Sequence, residues 1–202
     1  TRDELEPLLA RYPRSRFWID EAYVQYCDPE QHTPLSDLVS KYDNMLCSRT
    51  FSFAYGLAGL RMGYLLAPEA AVAELNAQLV DYRFGTLKEQ MAMAAIADTE
   101  HLDFLRKECA EQRQVLHDAI AGFDGVESFE STTNFILCRF TDGRTAPALY
   151  DAMWDAGIRI KKFASYNGEN FDEYFRLTLG VAEENQQLVQ TLGRVLETLP
   201  KG

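Results

Sequence analysis

A chain of 202 residues, 47% of them hydrophobic, is long enough to bury a core and short enough to hold one large domain or two small ones. Thirty-one acidic against twenty basic residues give a net charge of -11 with no Lys/Arg-rich run, which argues against nucleic acid as a partner. No run approaches the roughly 18 apolar residues of a membrane span, and the opening TRDELEPLLARYPRSR has no apolar signal segment, so a soluble, cytoplasmic protein without a membrane partner is expected.

In chain order, RFWID (16–20) is a short apolar run that ends in an acid, the pattern of a buried parallel strand whose carboxyl end faces a site. TPLSDLVSKY reads as a short helix, NMLCSR as a second strand and GYLLA (63–67) as a third. Pro68 then opens the helix EAAVAELNAQLVDY. From about Leu87 to Ala121 the spacing is that of a long helix that stops at Gly122, and a domain junction is expected there. Beyond it VESFES, NFILCRF and FRLTLG read as strands, and TAPALYDAMWDAG and AEENQQLVQTLGRVLETL as helices. Trp18, Phe135, Trp154 and Phe175 fall on strand or helix faces and are expected in the core. Cys27, Cys47, Cys109 and Cys138 form no C-x-x-C pair, and His32, His101 and His117 are too dispersed for a metal site, so reduced thiols and no metal are expected.

One constellation stands out. WIDEAY sets Asp20 and Tyr23 at a strand end; about thirty residues later the turn SRTFS, with Ser48, Thr50 and Ser52, is followed by GLAGLR, and YFRLTLGVAEENQQLV comes later in the chain. As an ordered set these motifs resemble the fold type I pyridoxal-phosphate enzymes, in particular the histidinol-phosphate aminotransferase-like branch of the class I/II aminotransferases. The resemblance runs over nearly the whole chain and implies an α/β fold. Residues 1–98 would be the C-terminal part of the cofactor-binding large domain, a mostly parallel sheet with helices; 99–123 would be a connecting helix; 124–202 would be a small α+β domain. It implies transfer of an amino group between an amino acid and a 2-oxo acid, with pyridoxal 5'-phosphate as cofactor. By the same resemblance Asp20 faces the pyridine nitrogen, Tyr23 bonds the ring oxygen, Ser52 and Arg61 hold the phosphate with Ser48 and Thr50 as weaker candidates, and Arg176 binds the substrate carboxylate.

Two departures limit that reading. The family's Schiff-base lysine stands directly after this serine and eight residues before this arginine, and here that residue is Phe53. Lys41, Lys88, Lys107, Lys161 and Lys162 lie on other elements, so no catalytic residue is assigned and the cofactor site is expected to be non-covalent or vestigial. The resemblance also implies a stretch about as long as this chain ahead of the Asp20 strand. Three expectations follow: the C-terminal part of an aminotransferase whose other half is on a separate polypeptide or lost by cleavage, a non-catalytic binding or regulatory subunit, or a lysine-free reaction; the expected partner is a second copy in a homodimer or a chain supplying the missing N-terminal half. Phe53 favours the second over the third.

Overall fold

A computed structural model describes residues 1–30, 34–79, 85–163, 165 and 167–202. His32 and the last residues of the helix expected over 69–82 lie outside the described residues. The chain divides into two compact units, Thr1–Arg106 and Lys107–Gly202.

In the first unit, helix α1 (Arg2–Arg11) is followed by strand β1 (Phe17–Asp20), a 3₁₀ turn over Val24–Tyr26, a longer one over Leu35–Ser40, and strand β2 (Met45–Thr50). A third 3₁₀ turn, Ala58–Leu60, leads into strand β3 (Gly63–Leu66), then helices α2 (Glu69–Gln78), α3 (Thr86–Ala97) and the first turns of α4 (Thr99–Ala121). The sheet order is β1-β2-β3, with β1 parallel and β3 antiparallel to β2. Period-2 alternation sends Met45 and Cys47 to one face, where Leu5 and Leu9 of α1 and Leu38 pack on them with Phe17, Ile19 and Leu66. The opposite face carries Trp18 and Asp20. β1 is therefore half-buried, not the fully buried strand expected, and Trp18 is 67% exposed.

The expected long helix is two. Asp98 separates them: its N–H closes α3 on the Ala94 carbonyl, and its carboxylate accepts the His101 N–H at 3.1 Å, the bond of an N-cap residue to its N3 position. α3 has no buried residue, and Leu87, Met93 and Ile96 are exposed, as is Phe104 of α4. Phe51, Met62, Tyr64, Ala92, Met93 and Ile96 line an apolar groove of about 490 Å³.

The second unit begins within α4. Strands β4 (Val126–Ser128), β5 (Phe135–Phe140), β6 (Lys161–Lys162) and β7 (Tyr174–Thr178) form an antiparallel sheet in the order β4-β5-β7-β6. Ile136, Cys138, Phe175 and Leu177 share the face that helices α5 (Ala146–Asp155) and α6 (Ala182–Thr198) cover, and Leu116 and Ile120 of α4 join that core. Phe175 is buried as expected, Phe135 is part-buried, and Trp154 is exposed on α5, where it stacks on Tyr150. The stripe Leu188, Leu192, Leu196 recurs every four residues along α6, so one helix face meets the sheet.

Arg144, 4% exposed, ties this unit's loops together. Its Nε donates to Asp142 at 3.0 Å, its Nη1 to the Leu196 carbonyl, and its Nη2 to the Asp124 carbonyl. That guanidinium holds the Asp142 carboxyl below its ordinary value. A depressed carboxyl stabilises the fold above its unfolded-state pKa, about 3.9, and the contribution is lost as pH falls through the lower folded value. The second unit of Asp142→Asn should therefore lose less stability between pH 5 and pH 2 than the parent, measured by urea titration at each pH; parallel curves would contradict this.

Among the described residues no helix is long and apolar enough to cross a membrane.

Candidate functional site

Six of the seven candidate ligand-binding residues lie in the first unit, at the ends of two strands and in the turn after them. β1 and β2 run parallel with Asp20 opposite Ser48, so the last residue of one strand meets a hydroxyl on the next. Asp20 Oδ1 accepts the Ala22 N–H at 3.1 Å and the Ser48 hydroxyl at 3.3 Å. Both bonds fall on one oxygen, which leaves Oδ2 open to a donor.

After β2 the chain makes a compact turn. The Thr50 hydroxyl donates to the Met62 carbonyl at 3.3 Å and accepts the Ser52 N–H at 3.0 Å. The Phe51 N–H donates to the Met62 carbonyl at 3.1 Å, the Phe51 carbonyl accepts the Leu57 N–H at 3.0 Å, and the Gly56 N–H reaches the Phe53 carbonyl at 2.8 Å. Gly56 has φ +67°, a conformation that a side chain would disfavour. His101 fixes the far side: its Nε2 lies 3.1 Å from the Ala54 carbonyl, an arrangement that needs the proton on Nε2. These bonds hold the turn in shape, and among the described residues none of them engages the Ser52 hydroxyl.

Phe53 does not enter the core. It stacks on Tyr23 with ring centroids 4.5 Å apart and planes within 11°, and Tyr23 in turn lies 6.3 Å from Tyr26. Tyr26 is buried and Phe53 is 40% exposed, so the three rings form a ladder from the interior to an open outer ring.

Arg61 closes the turn. It is left-handed, φ 51° and ψ 58°, at the end of the Ala58–Leu60 turn, and donates through Nη1 to the Ala58 carbonyl at 3.2 Å. Its remaining donors face solvent, a forked cation beside the Ser/Thr turn that can take an anion. A left-handed L-residue costs about 1–2 kcal/mol, and the extra chain freedom of glycine costs about 0.5–1. Arg61→Gly should therefore stabilise the first unit by about 0.5 kcal/mol. A raised urea midpoint is the readout; a lowered one would show that the guanidinium is needed for folding.

Arg176 belongs to the second unit. It sits on β7 opposite Leu137 and Lys161, its guanidinium lies 4.6 Å from the centre of the Phe135 ring, and its buried Nε has no hydrogen-bond partner among the described residues. Lys161 and Lys162 form β6 in the same unit, where the Lys162 ammonium lies over the Tyr150 ring at 4.4 Å.

One feature of the site had no place in the sequence reading. Glu21, 7% exposed, accepts from Arg49 Nε at 3.0 Å and Nη2 at 2.7 Å through Oε2, and from the Leu35 N–H through Oε1, while Arg49 also bonds Ser36 at 2.6 Å. This ion pair lies one residue beyond the Asp20–Ser48 pair and fixes the two strand ends. Pairing the strands on paper with Asp20 opposite Ser48 would have set Glu21 beside Arg49. Burial and the neighbouring Glu21 carboxylate push the Cys47 thiol up to about 12, so it stays protonated and is no nucleophile at neutral pH. All four cysteines are buried thiols outside any disulfide.

The comparisons with known proteins agree with this arrangement of elements. Histidinol-phosphate aminotransferase of Anaeromyxobacter sp. (strain Fw109-5) is 33% identical over 197 residues, covering 97% of this chain and 53% of that protein. The crystal structure of histidinol-phosphate aminotransferase from Sinorhizobium meliloti in complex with pyridoxal-5'-phosphate superimposes with a TM-score of 0.82 at 26% identity, over 96% of this chain and 53% of that one. The enzyme of the same name from Clostridium acetobutylicum reaches a TM-score of 0.91 at 19% identity, over 98% of this chain and 60% of that one, a likeness of fold alone. The chain thus spans about half the length of the curated relatives it matches. The family model for aminotransferase class I and II matches residues 1–192, and with the strand-end Asp20, the Ser/Thr turn and Arg61 in the order described, the chain belongs to that family.

Proposed function

We propose that this chain is the ligand-holding part of a non-catalytic member of the aminotransferase family, one that takes a pyridoxal-phosphate-type ligand without covalent attachment. The observation that carries the reading is Phe53: its ring stacks on Tyr23 where the family's lysine would stand, and it offers neither an amine nor a proton-transfer group. Pyridoxal phosphate, when bound, supplies an electron sink for chemistry at an amino acid's α-carbon. The residues present fit such a ligand in all but the covalent contact. Asp20 has an open Oδ2 for the pyridine nitrogen, Tyr23 has a phenol for the ring oxygen, and Ser52 and Arg61 have outward donors for the phosphate. The unpartnered Nε of Arg176 supports a carboxylate-bearing amino acid or 2-oxo acid as second ligand. Four cysteines outside any disulfide support a reducing compartment such as the cytoplasm.

The test uses 4'-deoxypyridoxine 5'-phosphate, which has no aldehyde. It should bind the protein, and Arg61→Ala should weaken binding by about ten- to a hundredfold, the worth of charged hydrogen bonds. Incubation with pyridoxal phosphate and borohydride should leave no pyridoxyl group on any peptide. No binding by the parent would end the reading, and a pyridoxyl group on Lys161 or Lys162 would return the chain to lysine-based catalysis.

The exposed apolar residues of the first unit support a partner. Trp18 on the sheet and Leu87, Met93, Ile96 and Phe104 on α3 and α4 are all exposed, and large apolar side chains left open in this number suit a surface that another segment covers. The occupant we favour is a polypeptide segment carrying the rest of the fold, ahead of a second copy of this chain. Sedimentation of the 202 residues alone should show association or aggregation at micromolar concentration; a compact, cooperatively unfolding monomer would contradict it.

A further inference from the structure

We infer that the Phe53–Tyr23 stack makes this site selective for the amine form of the ligand, pyridoxamine 5'-phosphate, over the aldehyde. The inference rests on the proposed function and deepens it. A lysine at this position selects the aldehyde, because its amine condenses with the carbonyl carbon and expels water. Phe53 removes that selection and puts a π-face in its place. The ring is held: Tyr23 covers one face at 4.5 Å and 11°, the Gly56 N–H bonds the Phe53 carbonyl at 2.8 Å, and the next residue's carbonyl is fixed by His101 at 3.1 Å. Phe53 remains 40% exposed, so the rest of its ring is accessible to a ligand. A primary amine on the ligand's 4'-carbon is protonated at neutral pH, and an ammonium gains from an aromatic face what a neutral aldehyde does not. The two arginines of this segment are engaged elsewhere, Arg49 on Glu21 and Ser36 and Arg61 on the Ala58 carbonyl. The other three contacts, to the ring nitrogen, ring oxygen and phosphate, are common to both forms and contribute no preference.

Isothermal titration of a protein that contains the complete fold, with pyridoxamine 5'-phosphate and with pyridoxal 5'-phosphate, tests this. The amine form should bind about tenfold more tightly, within the range of a partly desolvated cation–π contact. Phe53→Leu should bring the two affinities within about twofold of each other by weakening the amine form alone. Phe53→Tyr, which keeps a ring on Tyr23, should retain the preference and controls for misfolding of the leucine variant. Equal affinities in the parent, with 4'-deoxypyridoxine 5'-phosphate still bound, would overturn the selectivity and leave the proposed function standing. Absence of binding by all three ligands would overturn both, and a preference that survives in Phe53→Leu would overturn the role of the ring.

Discussion

In a protein that contains the complete fold, Phe53→Lys is expected to convert a chain that fixes no pyridoxal phosphate into one that takes up close to one equivalent. The new amine would condense with the aldehyde, and borohydride would leave a pyridoxyl group on residue 53. Asp20, Ser52 and Arg61 are already oriented by bonds that do not involve Phe53, so the substitution changes one contact and leaves the rest. Its cost is the ring pair with Tyr23, about 0.5–1.5 kcal/mol, small enough for the variant to fold. A gain of visible absorbance, abolished by Arg61→Ala in the same background, is the readout. If the lysine variant folds and binds 4'-deoxypyridoxine 5'-phosphate but captures no aldehyde, Phe53 does not stand where the amine belongs. If it binds neither, the turn has repacked around the ring and the site has been lost as a whole.

The elements and the backbone of the site are visible in the sequence because local chemistry dictates them. RFWID and NMLCSR alternate or run apolar in the way that strands do, and Asp20 must end β1 because Glu21 and Ala22 begin a turn. The tight SRTFSFAYG segment is legible from its hydroxyls and from a glycine that takes a positive φ. What the sequence hides depends on register and on neighbours. The Glu21–Arg49 bond joins residues 28 apart that meet only once β1 lies parallel to β2 in one register, and the His101–Ala54 bond spans 47. Trp18 reads as core because the alternation of β1 is correct, yet alternation cannot say which face is covered. The break at Asp98 was present as a Ser/Thr/Asp-type cap ahead of a helical run, but the apolar spacing continues across it and masks it. Lys161–Lys162 is a strand of two residues by pairing with β7 alone, without any pattern of its own.

Glu21 should prove the residue on which the first unit's stability most depends. Its side chain is 6% exposed and that of Arg49 17%, so removing the carboxylate leaves a guanidinium in a poorly solvated place with hydroxyl partners, Ser36 among them, and no anion. Breaking a buried ion pair from one side costs about 3–5 kcal/mol, a large share of the roughly 5–15 kcal/mol that keeps a domain folded. Glu21→Ala is expected near that range, measured as the loss of the first unit's urea transition while the second unit, with Arg144 and its own core, unfolds as before. The Leu35 N–H, which also bonds Glu21, would be orphaned and add to the loss. Glu21→Leu combined with Arg49→Met should recover much of it, because two apolar side chains leave no charge to solvate. A recovery of that kind would separate stability from function, since the ion pair also sets the strand ends that carry Asp20 and Ser48. The double variant should then fold and yet bind 4'-deoxypyridoxine 5'-phosphate more weakly than the parent. Undiminished binding would show that the strand pairing alone positions Asp20, and an Ala variant within about 1 kcal/mol of the parent would show that water reaches the pair and shields it.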